Sequence, residues 1–319
     1  MLQVPRCAVL QHGVSASALA YSQASLHHAQ GCFHGQSRKV QEVITAGAGD
    51  CIMRSRLEAR PLRSSILLDG VMPHYVASAS PLAQNMSSKQ WLPLESNPEV
   101  CTQYCARLGI SSGFAFHDVY GFDAELLAMV PQPVLAVLLL FPISEQSEQH
   151  KREQEARVAA QGQEVSPIVY WTKQTVGNAC GTIGLLHACC NNVSALSPQP
   201  GSWLDTWLRK TADADPDTRA RLLEEDETLD EAHASAAADG QSRVADCADD
   251  VNLHFVCFVH VDGGLYELDG RRPFPLRHGN TSQETLLADA SAVIVREFVE
   301  RAGDNLQFNV LALASDGAD

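Results

Sequence analysis

The sequence predicts an α/β (α+β) chain in which helices cover a central β-sheet. Val134 to Phe141 is nearly all apolar, the mark of a central strand buried on both faces. Leu253 to Val261 alternates with period two yet is apolar on nearly both faces, and Asp262-Gly263 then signals a tight hairpin into Leu265 to Leu268. Around these strands lie stretches with apolar residues at helical spacing. With 319 residues, 45% of them hydrophobic, the chain can bury the core of one large domain or two small ones.

Met1 to Asn85 has scattered serine, histidine and alanine with no sustained period, and is expected to be a disordered extension. It carries seven Lys/Arg against four Asp/Glu, which fits an organelle transit peptide or coding sequence upstream of a true start at Met86. Composition favours the second. The domain is placed at residues 86–315, with a polar tail at 316–319.

Asn97 caps a helix whose first turn takes Pro98, and Val100, Tyr104 and Leu108 follow at spacing four before Gly109 stops it. Phe114 to Tyr120 reads as a strand and Asp123 to Met129 as a short helix ending before Pro131. Glu145 to Gln161 is charged, with a weak apolar stripe, and reads as a solvated helix bearing no site. Ile168 to Thr172 is β-prone and reads as a short strand. Ser202 to Arg209 and Pro216 to Asp230 read as helices. Between Thr211 and Asp250 there are thirteen acids against three arginines, and Ala232 to Asp250 reads as a disordered acidic loop. Thr281 to Glu300 reads as a helix opened by a Thr281/Glu284 capping box, and Phe308 to Leu313 as the last strand.

Chemistry gathers at Cys180. Gly177 and Asn178 break the β-prone run, and the apolar helix that follows (Ile183, Leu185, Leu186, Ala188) starts at Cys180. Unpaired N–H groups and the positive dipole end of a helix favour a thiolate there. Gly181 and Gly184 leave bare backbone for close packing. Gln174, six positions upstream, could join the Cys180 N–H as a second oxyanion donor. If the hairpin closes on the two residues Asp262-Gly263, Asp269 falls opposite Val256 and shares a face with His254. A three-residue loop would put it on the other face. Cysteine, histidine and aspartate in that order, with a glutamine upstream, form a thiol-hydrolase constellation. Order alone leaves papain-like and transglutaminase-like enzymes open. His260, His187 and Lys173 are assigned no chemistry, His260 as a satisfied core histidine.

The net charge is −15, and from Met86 onward sixteen Lys/Arg face thirty-four Asp/Glu. Such a surface argues against nucleic acid and for a basic protein partner. The ten cysteines lack the spaced pairs of a zinc site, so no metal or cofactor is expected, and the adjacent Cys189-Cys190 suit no disulfide framework. Cys101 and Cys105 sit at helical spacing, as packing. These features read as a reduced, intracellular protein. No apolar run approaches the ~18 residues of a membrane span.

The wording around these residues is more specific than their order. Gln174-Thr175-Val176-Gly177-Asn178-Ala179-Cys180-Gly181-Thr182-Ile183-Gly184 resembles the active-site motif of the ubiquitin carboxyl-terminal hydrolases. Leu253-His254-Phe255, Val259-His260-Val261-Asp262-Gly263 and Leu265-Tyr266-Glu267-Leu268-Asp269-Gly270 resemble the same family. The similarity runs from Trp91-Leu92-Pro93-Leu94-Glu95 to Phe308-Asn309 and Leu311-Ala312-Leu313, and the chain looks like a short, single-domain member. Gly177 stands where relatives often carry serine, which should loosen the turn.

The resemblance implies a mostly antiparallel sheet flanked by helices, with a knotted, papain-like chain path, and a thiol protease acting after the C-terminal glycine of ubiquitin. It implies Cys180 as nucleophile, His254 as general base and acid, Asp269 as its orienting carboxylate and Gln174 as oxyanion stabiliser. It implies ubiquitin contacts from Pro93, Leu94, Glu95, Ser96, Asn97 and Pro98 and from the region of Asp304 to Phe308. A crossover loop at Asp239 to Asp249 would pass over the cleft. A cytoplasmic or also nuclear monomer is expected. A low-turnover ubiquitin-binding module, or a hydrolase for a ubiquitin-like modifier, are the alternatives.

Overall fold

The computed structural model describes residues 87–111, 113–240, 252–303, 305 and 307–316. The residues through Met86 and most of the expected crossover loop, from Gln241 to Asp249, lie outside them. Six strands form one antiparallel sheet: β1 (Phe114–Asp118), β2 (Val134–Pro142), β3 (Leu253–Val261), β4 (Gly264–Leu268), β5 (Leu276–Asn280) and β6 (Asn309–Ser315), in the order β1-β6-β2-β3-β4-β5.

Strand β2 is central, as its apolar run predicts. Its alternation divides the core, because successive side chains point to opposite faces. Leu138 joins one apolar cluster with Tyr104, Leu186, Cys257 and Leu311. Val137 and Leu139 join another with Phe258, Ile294 and Val310 on the opposite face. The first face is covered by α1 (Pro98–Leu108), α4 (Cys180–Cys190), α6 (Trp203–Lys210), α7 (Pro216–Glu224) and α8 (Glu227–Ala238), which follow the short α2 (Ala124–Leu127), α3 (Glu145–Gln161) and α5 (Val193–Leu196) in chain order. The second face is covered by α9 (Leu286–Ile294).

Local signals account for many boundaries. The Asn97 side chain accepts from Glu99 and Val100 N–H, Pro98 occupies the first turn, and Gly109 ends α1 at φ 109°. Asp123 caps α2, Ser144 caps α3 and Ser202 caps α6. Five expectations are corrected. The 216–230 helix breaks at Asp226, whose carboxylate caps α8, and α8 then runs to Ala238 through the stretch expected to be a loop. Leu229, His233 and Ala236 are its buried stripe, too sparse to show against so many acids.

The helix expected from Thr281 begins instead at Leu286, because β5 extends to Asn280 and Thr281 N–H still donates to Gly263 O at 2.9 Å. It ends in a π-turn, Val295–Val299. β1 stops at Asp118, short of Tyr120. Ile168 to Thr172 forms no strand. Its polar backbone is met by side chains: Tyr170 exchanges hydrogen bonds with the Asn191 amide at 2.8 Å, and Thr172 N–H donates to His187 at 3.2 Å. β propensity marked an extended segment, not a paired one.

Candidate active site

Helix α4 begins at Cys180 with no side-chain cap, so its first-turn N–H groups and positive dipole end face the sulfur. Asn178, at φ 59°, supplies the turn that aims the chain into the helix. Gly181 through Cys190 are all buried, whereas Cys180 remains partly exposed. Gly184 lets α4 settle on Leu138 of β2 and Phe255 of β3. Burial alone pushes the thiol up. The hydrogen bond and charge of His254, with the backbone at Phe255 and Gly181, outweigh it and hold the thiol below its usual range.

The hairpin closes on two residues. Val261 pairs with Gly264, and Asp262 and Gly263 both take positive φ, 48° and 74°. Cys257 opposite Leu268 sets the register that carries Asp269 to the His254 face. His254 Nε2 and Asp269 Oδ1 lie 2.7 Å apart, both residues 3% exposed. That leaves Nδ1 as the ring nitrogen for Cys180. Burial opposes the imidazolium, yet the Asp269 charge and hydrogen bond, with Cys180, raise His254 to about 9. Burial likewise opposes the Asp269 carboxylate, but His254, Lys151 and Arg272 hold it well below its usual range. Each of the three shifts favours the charged form of its group: thiolate, imidazolium and carboxylate.

Gln174 is buried beside them. Its N–H donates to Gly270 O at 2.9 Å, and Trp171 Nε1 donates to Asp269 O at 3.1 Å, so one extended segment holds both glutamine and aspartate. Gly270 is needed for this approach, since a Cβ there would lie 2.9 Å from Gln174 Cβ and Ile183 Cγ2. One Nε2 hydrogen goes to Val176 O at 3.2 Å, which leaves the second N–H for a ligand oxygen. Gln174 Oε1 is buried with no partner among the described residues. The arrangement can generate a thiolate, hold an imidazolium beside it, and stabilise an oxyanion. Among the described residues no cluster of three or more His, Cys, Asp or Glu could hold a metal ion.

Residues 91–300 match the family model for ubiquitin carboxyl-terminal hydrolase, family 1. The chain is 46% identical over 233 residues to ubiquitin carboxyl-terminal hydrolase 3 of Arabidopsis thaliana, covering 73% of this chain and 97% of the relative. It is 46% identical over 224 residues to ubiquitin carboxyl-terminal hydrolase isozyme L1 of Homo sapiens, covering 70% and 98%. The chain belongs to the family 1 ubiquitin carboxyl-terminal hydrolases. It is thus a cysteine-type ubiquitin hydrolase. The Trichinella spiralis UCH37 catalytic domain, solved bound to ubiquitin vinyl methyl ester, shares the fold, with a TM-score of 0.55 at 24% identity over 72% of this chain and 98% of that one.

The hydrolase uses its segment before α1 in ways the sequence did not show. Trp91 N–H donates to Gly177 O and Gly177 N–H to Lys89 O, and the glycine admits the Gln90 side chain, whose Cγ lies 2.8 Å from where its Cβ would be. Leu94 is buried against Gly181, Ser96 donates to Asn309 at 2.7 Å, and Asn97 caps α1. Each of these three side chains thus has a partner within the domain. Of the other expected contact region, Asp304 and Leu306 lie outside the described residues.

Asp239, at the start of the expected loop, pairs with Arg107. His260 is not in the core: it is half-buried and accepts from Gly263 N–H at 3.1 Å. Lys173 pairs with Asp217. His187 is structural, bonded to Thr172 and Leu268. Sequence reasoning missed two residues. His233 stacks on Trp91 at 4.2 Å and bonds Thr182 of α4 and Leu92 O, each at 2.7 Å. Lys151 of α3, the helix read as bearing no site, lies 3.0 Å from Asp269 Oδ2.

Proposed function

We propose that Cys180 is the nucleophile that attacks the carbonyl carbon of ubiquitin's terminal glycine, where an amide or ester joins it to a leaving group. The sulfur bonds to carbon as the carbonyl electrons move onto oxygen. Gln174 Nε2–H and the Cys180 N–H stabilise that oxyanion, and loss of one such donor typically costs ~3 kcal/mol of barrier. His254, already an imidazolium, passes its Nδ1 proton to the departing amine or alcohol. Water then attacks the thioester with His254 as base, releasing ubiquitin with a free carboxylate and leaving the Cys180 sulfur as thiolate beside the re-formed imidazolium. Asp269 keeps the ring oriented and supports its charge throughout.

The observation that carries this reading is the His254–Asp269 hydrogen bond of 2.7 Å, with Cys180 bonded to the same ring at a helix N-terminus. Ubiquitin as partner fits the acidic surface, because its C-terminal tail is basic. The leaving groups are small adducts and short peptides.

The test is release of a fluorogenic group from the ubiquitin C-terminus by the full chain and by Cys180→Ala. Release that vanishes in Cys180→Ala while ubiquitin still binds supports the assignment. Turnover retained without the thiol overturns it. Binding without turnover by the unaltered chain would make it a ubiquitin-binding module, and neither would direct the same assay to ubiquitin-like modifiers.

A further inference from the structure

Helix α3 meets the turn after β4 along a complementary stripe of charge. Glu148, Lys151 and Glu155 recur at spacings of three and four, which places them on one face. Glu148 lies 3.2 Å from Arg271, Lys151 lies 3.0 Å from Asp269, and Glu155 lies 3.4 Å from Arg272. Gln154, from the same helix, accepts from Arg272 at 2.7 Å. A minus-plus-minus helix thus docks on a turn of the opposite pattern, and its only cation in the stripe is placed on the active-site carboxylate.

The two oxygens of Asp269 have different tasks. Oδ1 accepts from His254 and from Arg271 N–H at 2.8 Å. Oδ2 accepts from Lys151, whose side chain is 14% exposed. In so dry a site a charge acts far more strongly than in water. An ammonium on one oxygen must weaken the pull of the carboxylate on an imidazolium held by the other.

We propose that Lys151 is a positioning residue that acts through Asp269, balancing the carboxylate charge so that His254 can release its proton to the leaving group. Among the described residues Lys151 does this by direct contact, while Arg272 acts on the carboxylate without a hydrogen bond to it. Around Asp269 stand Glu148 and Glu155 on α3, His187 on α4, Glu267 on β4, and Arg271 and Arg272 beyond it. The guanidinium of Arg272 is already occupied by Glu267 at 2.9 Å, with Gln154 and Glu155. Glu267 also holds His278 of β5 at 2.7 Å, and Arg271 holds Glu148. His150 and Glu297, which border the same small cavity, pair with each other at 2.7 Å. His254 itself faces Asp269, Cys180 and the uncharged ring of Phe141. Among the described residues, Lys151 is the cation besides His254 that pairs directly with Asp269.

The assignment rests on Cys180, His254 and Asp269 acting together, so its test includes a measurement that needs no turnover. NMR titration of the His254 ring in the full chain would be compared for Lys151→Met, Lys151→Gln and Lys151→Arg. Loss of the charge should move the midpoint up by about half a unit to one unit in the Met and Gln variants, because the imidazolium loses a like-charged neighbour. Arg should restore it. On fluorogenic ubiquitin, kcat should fall about 3- to 10-fold in Met and Gln at unchanged KM, since a proton held more tightly is passed on more slowly. An unchanged or lowered midpoint in Lys151→Met overturns the proposal. So does an equal loss of kcat in all three variants with a lowered Tm, which would make Lys151 a docking contact. If the unaltered chain turns nothing over, the functional reading fails while the titration still decides the role of Lys151.

Discussion

Two helices reach the same triad by opposite physical means. Helix α4 is apolar on every side, and all its residues after Cys180 are buried. Helix α3 is seventeen residues long with Gln154 as its buried position, and it docks through ion pairs. A helix that is hydrophobic all round must lie in a core, so its sequence declares its place. A helix docked by charge has the same composition as a solvated one, because each lysine or glutamate could equally face water. Binary pattern therefore finds the helix that presents Cys180 and overlooks the charged helix that meets Asp269.

The two helices converge on Asp269, through Lys151 of α3 and through the His254 that Cys180 of α4 meets. Asp269→Asn keeps the shape but removes the charge that His254 and Lys151 share. Steady-state assays should show kcat down by ~10²-fold or more, in the range of general acid–base contributions. A rate within a factor of two of the unaltered enzyme would mean that the carboxylate does not support the imidazolium.

On the α3 side, Arg272→Met leaves Glu267 buried with only His278 and strips the turn of its Gln154 and Glu155 contacts. Breaking a buried pair by removing one partner costs about 3–5 kcal/mol, so chemical denaturation should show a loss of that order. No change in midpoint would show that α3 is held by something other than charge. On the α4 side, Gln174→Ala should lower kcat about 10²-fold with little effect on folding. Gly181→Ala puts a Cβ 2.8 Å from Leu94 Cβ, and overpacking there should cost about 1–3 kcal/mol in thermal unfolding.

The buried histidines give a pH test that involves α4 but not α3. Burial holds His187 and His233 down at about 4 despite their hydrogen bonds. The unfolded chain takes up protons near the ordinary histidine value of 6.5, before the folded one does. Stability should therefore fall as pH drops from about 6.5 to about 4, by up to about 1.4 kcal/mol per unit for each histidine. Denaturation series at pH 7 and 5 would check this, and His233→Asn should flatten the slope. The smallest effect is expected at the exposed Arg209–Asp205 pair on α6, where Arg209→Ala should change stability by less than about 0.5 kcal/mol.

By itself the sequence determined the parts whose signals are local. Asn97, Pro98 and Gly109 bound α1, Asp262-Gly263 closes the hairpin on two residues, and period-two alternation then places His254 and Asp269 on one face. The motif around Cys180 carried the family. Tertiary structure alone decided whether an extended segment finds a partner strand. Ile168 to Thr172 has the composition of a strand but is met by Asn191 and His187, residues brought to it by α4. It also decided that α8 continues through an acidic, alanine-rich stretch, because three buried contacts outweigh composition once α1 and α4 are present. Likewise it decided that Lys151 meets Asp269 across 118 residues of chain. A charge reveals its partner only when the fold removes the water between them.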